Sequence, residues 1–75
     1  MPYILIKGFP KDEQTRIRVA EKINEVFLKE WGCPQEAISI GIEAVDPSEW
    51  MEKVKIPEVD ANCKNLLIWD GKKTY

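Results

Sequence analysis

The 75-residue chain contains no histidine and only two cysteines. Cys33 and Cys63 stand thirty positions apart and form no Cys-x-x-Cys pair, so neither a zinc site nor a redox motif is indicated. No apolar run is long enough for the core of a signal peptide or for a membrane-spanning helix. We therefore expect a cytoplasmic protein with two reduced thiols, no metal and no membrane association.

A large excess of charge of one sign is also lacking, since 11 basic and 13 acidic residues give a net charge of −2. Nothing in this balance indicates binding to nucleic acid or to an anionic surface. The composition is 44% hydrophobic and 32% charged, which predicts one globular domain over residues 1–75. A chain this short buries only about 60% of its unfolded surface, so we expect a homo-oligomer, in the simplest case a dimer.

Apolar periodicity predicts a strand at residues 2–7, a helix from an Asp12 cap to about Trp31, and a second strand at residues 37–45. Gly32 is expected to end the helix before the second strand begins. The apolar face of the helix recurs at three- and four-residue steps: Ile17, Ala20, Ile23, Phe27 and Trp31. A strand–helix–strand unit of this kind is parallel in nearly every known case.

The predicted fold class is therefore α+β, a β-α-β unit with parallel strands followed by extra C-terminal helical turns. Asp46 and Pro47 open a helical segment, Pro57 is expected to break it, and Asp70-Gly71 is expected to end a last helix. Residues 72–75 receive no assignment. Because a two-stranded sheet is barely stable alone, a second copy of the chain is expected to complete the sheet.

Pro2 follows the initiator methionine directly. Methionine is usually removed before proline, and the proline then carries a secondary amine that can act as a base. An apolar setting disfavours the charged form of such an amine and lowers its pKa towards the operating pH, which suits general acid–base catalysis. If Met1 stays in place, the nitrogen is acylated and cannot do this chemistry.

The order of these features resembles the 4-oxalocrotonate tautomerase family over roughly the first fifty residues. The Met1-Pro2 start, Asp12-Glu13-Gln14 at the helix start and the Gly32-Cys33-Pro34 turn carry the resemblance. The tail beyond Trp50 is similar to a bacterial branch that forms dimers. The resemblance implies a tautomerase, an isomerase that interconverts keto and enol forms of a small substrate without any cofactor.

The resemblance also implies roles for four residues. Pro2 would be the base and then the acid, while Lys11, Ser39 and Trp50 would bind substrate and shape the pocket. Lys11 stands nearest to one family arginine, and Ser39 replaces another. Because Ser39 offers only a hydroxyl, a small 2-oxo acid or an aryl ketone of the phenylpyruvate type is favoured over a dicarboxylate.

Other interpretations stay open at this point. Lys11 fits an exposed loop lysine, Ser39 fits a small residue at a subunit contact, and Trp50 fits a core or interface residue. Nothing in the sequence ranks Tyr3, Phe9 and Tyr75, which could border a pocket. The alternative function is a non-catalytic assembly or binding module on the same fold, and a further alternative is dehalogenation or decarboxylation by the same proline amine.

Overall fold

The computed structural model describes all 75 residues, Met1–Tyr75, as two compact units, Met1–Ala44 and Val45–Tyr75. The first unit contains β1 (Tyr3–Gly8), α1 (Glu13–Val26) and β2 (Ser39–Ala44). The strands pair in parallel, with Tyr3 opposite Ser39 and Gly8 opposite Ala44. The predicted α+β class and the parallel β-α-β unit are confirmed.

Capping fixes both ends of the helical connection. The Asp12 carboxylate accepts hydrogen bonds from the Thr15 hydroxyl at 2.7 Å and the Thr15 amide at 3.0 Å, and these bonds hold the pKa of Asp12 below its usual value. After α1 the chain continues in a π-helical turn, Phe27–Trp31, and ends at Gly32 with a left-handed φ of 72°. The helical region thus ends where the sequence predicts.

The second strand is shorter than predicted. Gln35–Ala37 forms a 3₁₀ turn in which the Ala37 amide donates to the Pro34 carbonyl at 3.1 Å. Because these turn hydrogen bonds use the backbone groups before Ser39, strand pairing begins at Ser39 rather than at residue 37.

Helix α1 packs against one face of the sheet and leaves the other face uncovered. Ile4, Ile6, Ile40 and Ile42 are half-buried on the face against α1, together with the middle of the predicted helix stripe: Ala20, Ile23 and Phe27. The ends of that stripe, Ile17 and Trp31, stay 50% and 68% exposed.

On the opposite sheet face, Tyr3 and Leu5 are 70% and 44% exposed, because α1 packs on the other side.

The outer edge of β2 is partly occupied by a side chain of α1. Ser39 directs its amide towards β1, so Ile40 and Ile42 direct their backbone groups away from β1. The Arg16 guanidinium donates to the outward Ile42 carbonyl at 3.4 Å. This contact satisfies one backbone group on an edge that has no partner strand.

The second unit begins with a 3₁₀ turn, Pro47–Glu49, capped by the Asp46 carboxylate. A π-helical segment, Met51–Val59, and a 3₁₀ segment, Asp60–Asn65, follow. Pro57 lies inside the π-helical segment, so the expectation that it breaks the helix is wrong. The wider π turn relieves the clash that a proline ring makes with the carbonyl four residues earlier in an α-helix.

The chain ends in a hairpin instead of a helix. β3 (Ile68–Trp69) pairs antiparallel with β4 (Lys72–Lys73). Asp70 and Gly71 both have positive φ, 48° and 83°, as a two-residue hairpin turn requires. The prediction that these two residues end a helix is therefore wrong, and part of the unassigned tail forms β4.

One ammonium group connects this hairpin to the helical segments. Lys55 Nζ lies 2.5 Å from an Asp60 carboxylate oxygen and 3.3 Å from one of Asp70. The Trp69 indole donates to the same Asp60 oxygen at 3.1 Å. The hairpin turn and the 3₁₀ segment are thus held by one cluster of four side chains.

Few side chains are removed from water. Val45 and Val54, at 7% and 5% exposure, are the buried hydrophobic residues. None of the helical segments has the length and the apolar character that spanning a lipid bilayer requires. A chain of this size buries only a limited share of its apolar surface by itself.

Candidate functional site

Pro2 stands immediately before β1 and is half-buried. Its carbonyl accepts a hydrogen bond from the Ser39 amide at 3.2 Å, which fixes the head of β1 against the head of β2. The position of the proline backbone is therefore set by sheet pairing rather than by a free terminus. A rigid ring held in this way can present its nitrogen in one direction.

Ser39 is the first residue of β2 and lies directly opposite Tyr3. Residues paired across two parallel strands project to the same face, so these two side chains are neighbours on the face that α1 does not cover. Ser39 is exposed, and its hydroxyl makes no hydrogen bond within the protomer. Pro2 and Ser39, two of the predicted site residues, are thus brought to the same end of the sheet.

Lys11 lies at the other end. It is exposed in the loop between the last residue of β1, Gly8, and the Asp12 cap. A six-residue strand spans about 20 Å, so within one protomer this ammonium is separated from Pro2 by the length of the sheet. The structure does not bring Lys11 to Pro2 within a single chain.

Trp50 belongs to the second unit. It is half-buried between the 3₁₀ turn Pro47–Glu49 and the π-helical segment Met51–Val59, and its amide donates to the Pro47 carbonyl. The Asp46 carboxylate accepts from the Ser48 hydroxyl at 2.7 Å and the Ser48 amide at 2.9 Å, which lowers the pKa of Asp46. This capped turn fixes the backbone that carries the indole.

Two shallow, solvent-open recesses lie between α1 and β2 and share Ala20 and Ile40. One, of about 420 Å³, is also lined by Ile38 and Asn24, and the other, of about 230 Å³, by Arg16 and Ile42 among others. Ile38 directly precedes Ser39 in the chain. Neither recess is lined by a predicted site residue.

Some polar contacts are not predictable from the sequence. The Asn24 and Gln35 side-chain amides bond each other reciprocally at 2.9 and 2.8 Å and tie α1 to the turn before β2. The sequence likewise does not single out Tyr3, whose hydroxyl has no hydrogen-bond partner within the chain and whose backbone pairs with that of Ser39. Residue spacing carries no signal for the amide pair, whereas parallel pairing of the two strand starts does predict that Tyr3 lies near Ser39.

Comparison with known proteins gives the family of the chain. No family model matches it. A tautomerase PptA of Pectobacterium atrosepticum is 28% identical over 68 residues, 88% of this chain and 90% of the relative. A tautomerase PptA of Shigella sonnei is 35% identical over 69 residues, which are 89% of this chain and 91% of the relative. A tautomerase PptA of Escherichia coli O139:H28 is 35% identical over 52 residues, which are 67% of this chain and 69% of the relative. With this identity and coverage, the chain belongs to the family of the PptA tautomerases.

Proposed function

We propose that this chain is a keto–enol tautomerase of the N-terminal-proline, 4-oxalocrotonate type, with Pro2 as general base and acid after removal of Met1. Its family supports tautomerase activity, and therefore isomerase chemistry, in general. To this general activity the proposal adds the identity of the catalytic base, the class of substrate and the formation of a homodimer. The proposed substrate is a small 2-oxo acid or aryl ketone of the phenylpyruvate type.

The proposed reaction moves two protons and no other atoms. The secondary amine of Pro2 takes the proton of the enol hydroxyl, and the electron pair of that O–H bond forms the carbonyl as the C=C bond becomes nucleophilic at carbon. The protonated amine then returns a proton to that carbon. One group acts as base and then as acid, so the reaction needs no cofactor.

The observation that carries the proposal is the placement of Pro2. It is half-buried at the head of β1, and the Ser39 amide holds its carbonyl at 3.2 Å. The chain has no histidine, which is the usual general base near neutral pH. A secondary amine at this position fills that chemical role.

Lys11 and Trp50 enter the proposal through assembly. Because Lys11 lies about 20 Å along the sheet from Pro2 in its own protomer, it would meet a substrate at Pro2 only from a second copy. We propose a homodimer, each copy forming one domain over residues 1–75, with Trp50 as an apolar wall and Ser39 as a hydrogen-bond donor. A lysine would pair with a substrate carboxylate as a point charge.

The test is ketonisation of phenylenolpyruvate by protein whose Met1 removal is verified by intact mass. We expect Pro2→Ala, which keeps a processed terminus but has a primary amine on a flexible backbone, to lose about 10²- to 10⁴-fold in kcat/KM. Pro34→Ala is the matched control, since Pro34 lies at the cap of the turn Gln35–Ala37 in the same unit. This control should keep wild-type activity.

A second arm uses wild-type protein that retains Met1, which should be inactive because its proline nitrogen is an amide. Equal activity of wild type and Pro2→Ala would exclude the proline mechanism. Absence of any α-proton exchange in processed wild-type protein, tested on 2-oxo acids and aryl ketones, would favour a non-catalytic module.

A further inference from the structure

Tyr3, which follows Pro2 directly, and Ser39 each carry a hydroxyl group at the head of the sheet. Tyr3 and Ser39 are paired across the parallel strands, and their side chains share the face that α1 leaves uncovered. Tyr3 is 70% exposed, and neither hydroxyl has a hydrogen-bond partner within the protomer. Adjacent strand backbones lie about 4.8 Å apart, so rotation of the Tyr3 ring over the sheet would bring its phenol within reach of a small group bound at Ser39.

The neighbours of this pair are apolar or small. Leu5 and Gly41 form the next pair on the same face, and a methyl group added at Gly41 would meet Leu5 Cδ1 at 3.5 Å. No charged residue occupies the first two pairs of this face. An anion bound here would therefore meet two hydroxyl groups beside the apolar side chain of Leu5.

From this arrangement we infer that Tyr3 is a further substrate-binding residue, whose phenol acts with the Ser39 hydroxyl to hold the carboxylate of a 2-oxo acid. The inference rests on the proposed function and adds a residue to it. A carboxylate has two oxygens and accepts one hydrogen bond on each from two separate donors. Each hydroxyl supplies one O–H donor, and these two hydrogen bonds add to the point charge that Lys11 of a second copy would supply.

The variant Tyr3→Phe removes the phenol oxygen and keeps the ring. Hydrogen bonds to charged groups predict a loss of about 10- to 100-fold in kcat/KM for phenylpyruvate, seen mainly as a higher KM because the carboxylate is held equally in ground and transition states. Tyr75→Phe is the control: Tyr75 is 77% exposed in the second unit, and its contact with Lys73 involves the ring alone. It should match wild type.

Two substrates that differ in the carboxylate show whether Tyr3 acts on that group. Exchange of α-protons for deuterium is followed by NMR in phenylpyruvate and in phenylacetaldehyde, which lacks the carboxylate. Tyr3→Phe should slow exchange only in phenylpyruvate. An equal loss with both substrates, or no loss with either, overturns the inference while Pro2→Ala still tests the proposed function separately.

A binding measurement keeps the test independent of turnover. We expect the unreactive anion 3-phenylpropanoate to bind wild type about 10- to 100-fold more tightly than Tyr3→Phe in NMR titrations. Equal binding by the two proteins, or no binding by wild type, overturns the inference even if the enzyme proves inactive. Size-exclusion profiles of the two proteins should coincide, because the phenylalanine ring retains the packing of the tyrosine.

Discussion

At the scale of the single residue, two glycines separate the effect of backbone conformation from that of packing. Gly32 ends the π-helical turn with φ of 72°, and a Cβ added there meets nothing within 4 Å. Gly8 likewise has open space around it but no positive φ. Alanine substitutions at the two positions therefore differ only in the backbone strain that they introduce.

We expect Gly32→Ala to lower the free energy of unfolding by about 1 kcal/mol, since residues with a Cβ rarely adopt the left-handed region. Gly8→Ala should leave it unchanged or raise it slightly, because the chain loses unfolded-state entropy without strain. Urea unfolding of both variants at one protein concentration provides the comparison. Equal effects of the two substitutions would contradict the cap interpretation.

Residue placement within the site was partly predictable. Parallel pairing of two strands that start near residues 2 and 37 brings Pro2 close to Ser39, as the structure shows. The distance from Pro2 to Lys11 follows from strand length in the same way, although the family resemblance alone suggested a common site. Hydroxyl groups without partners were not predictable, because hydrogen bonding depends on side-chain directions that sequence spacing does not encode.

At the scale of the element, the Lys55 cluster joins the hairpin to the preceding helical segments. Hydrogen bonds from the Lys55 ammonium and then from the Trp69 indole lower the pKa of Asp60. The hydrogen bond to Asp60 is the main cause that raises the pKa of Lys55; desolvation opposes it, and the bond to Asp70 adds a smaller upward effect. The carboxylate contribution is present above the unfolded pKa of about 3.9 and is lost as pH falls through the lower folded value.

We expect Lys55→Met to speed hydrogen exchange at the Trp69 indole and at the Thr74 amide, which donates to the Leu67 carbonyl at 2.9 Å. A factor of about two to five is expected for a solvent-exposed ion pair. Lys53→Met, which removes an exposed helix pair with Glu49, should change neither rate. In wild type the protection factors at these two groups, which correct the observed rates for the intrinsic pH dependence of exchange, should fall below about pH 4. Protection factors that do not change with pH would rule out the role assigned to the cluster.

The elements differ in how well the sequence predicts them. Capping residues and apolar periodicity located β1, α1 and β2 because those signals are local. Periodicity does not predict the hairpin, although Asp70-Gly71 is a strong type I′ turn signal, because the flanking strands are only two residues long. The sequence wrongly predicts a break at Pro57, because the π-helical geometry that accommodates this proline has no sequence signature.

At the scale of the whole molecule, the small core makes a prediction about assembly. With Val45 and Val54 as the buried hydrophobic residues, and Tyr3 and Leu5 uncovered, a single chain buries little apolar surface. We expect a dimer in size-exclusion chromatography at micromolar concentration. The urea midpoint should rise with protein concentration, because association stabilises the folded chain. A folded monomer with a concentration-independent midpoint would contradict this.

The Arg16 guanidinium on the Ile42 carbonyl limits how such chains can combine. A strand added beside β2 must first displace that side chain, whereas β1 carries no strand on its outer side. Two chains that join through their β1 sides use up the free side of each sheet. We therefore expect assembly to stop at a closed pair rather than to continue into a fibril, with Arg16 acting against open-ended polymerisation at the β2 edge.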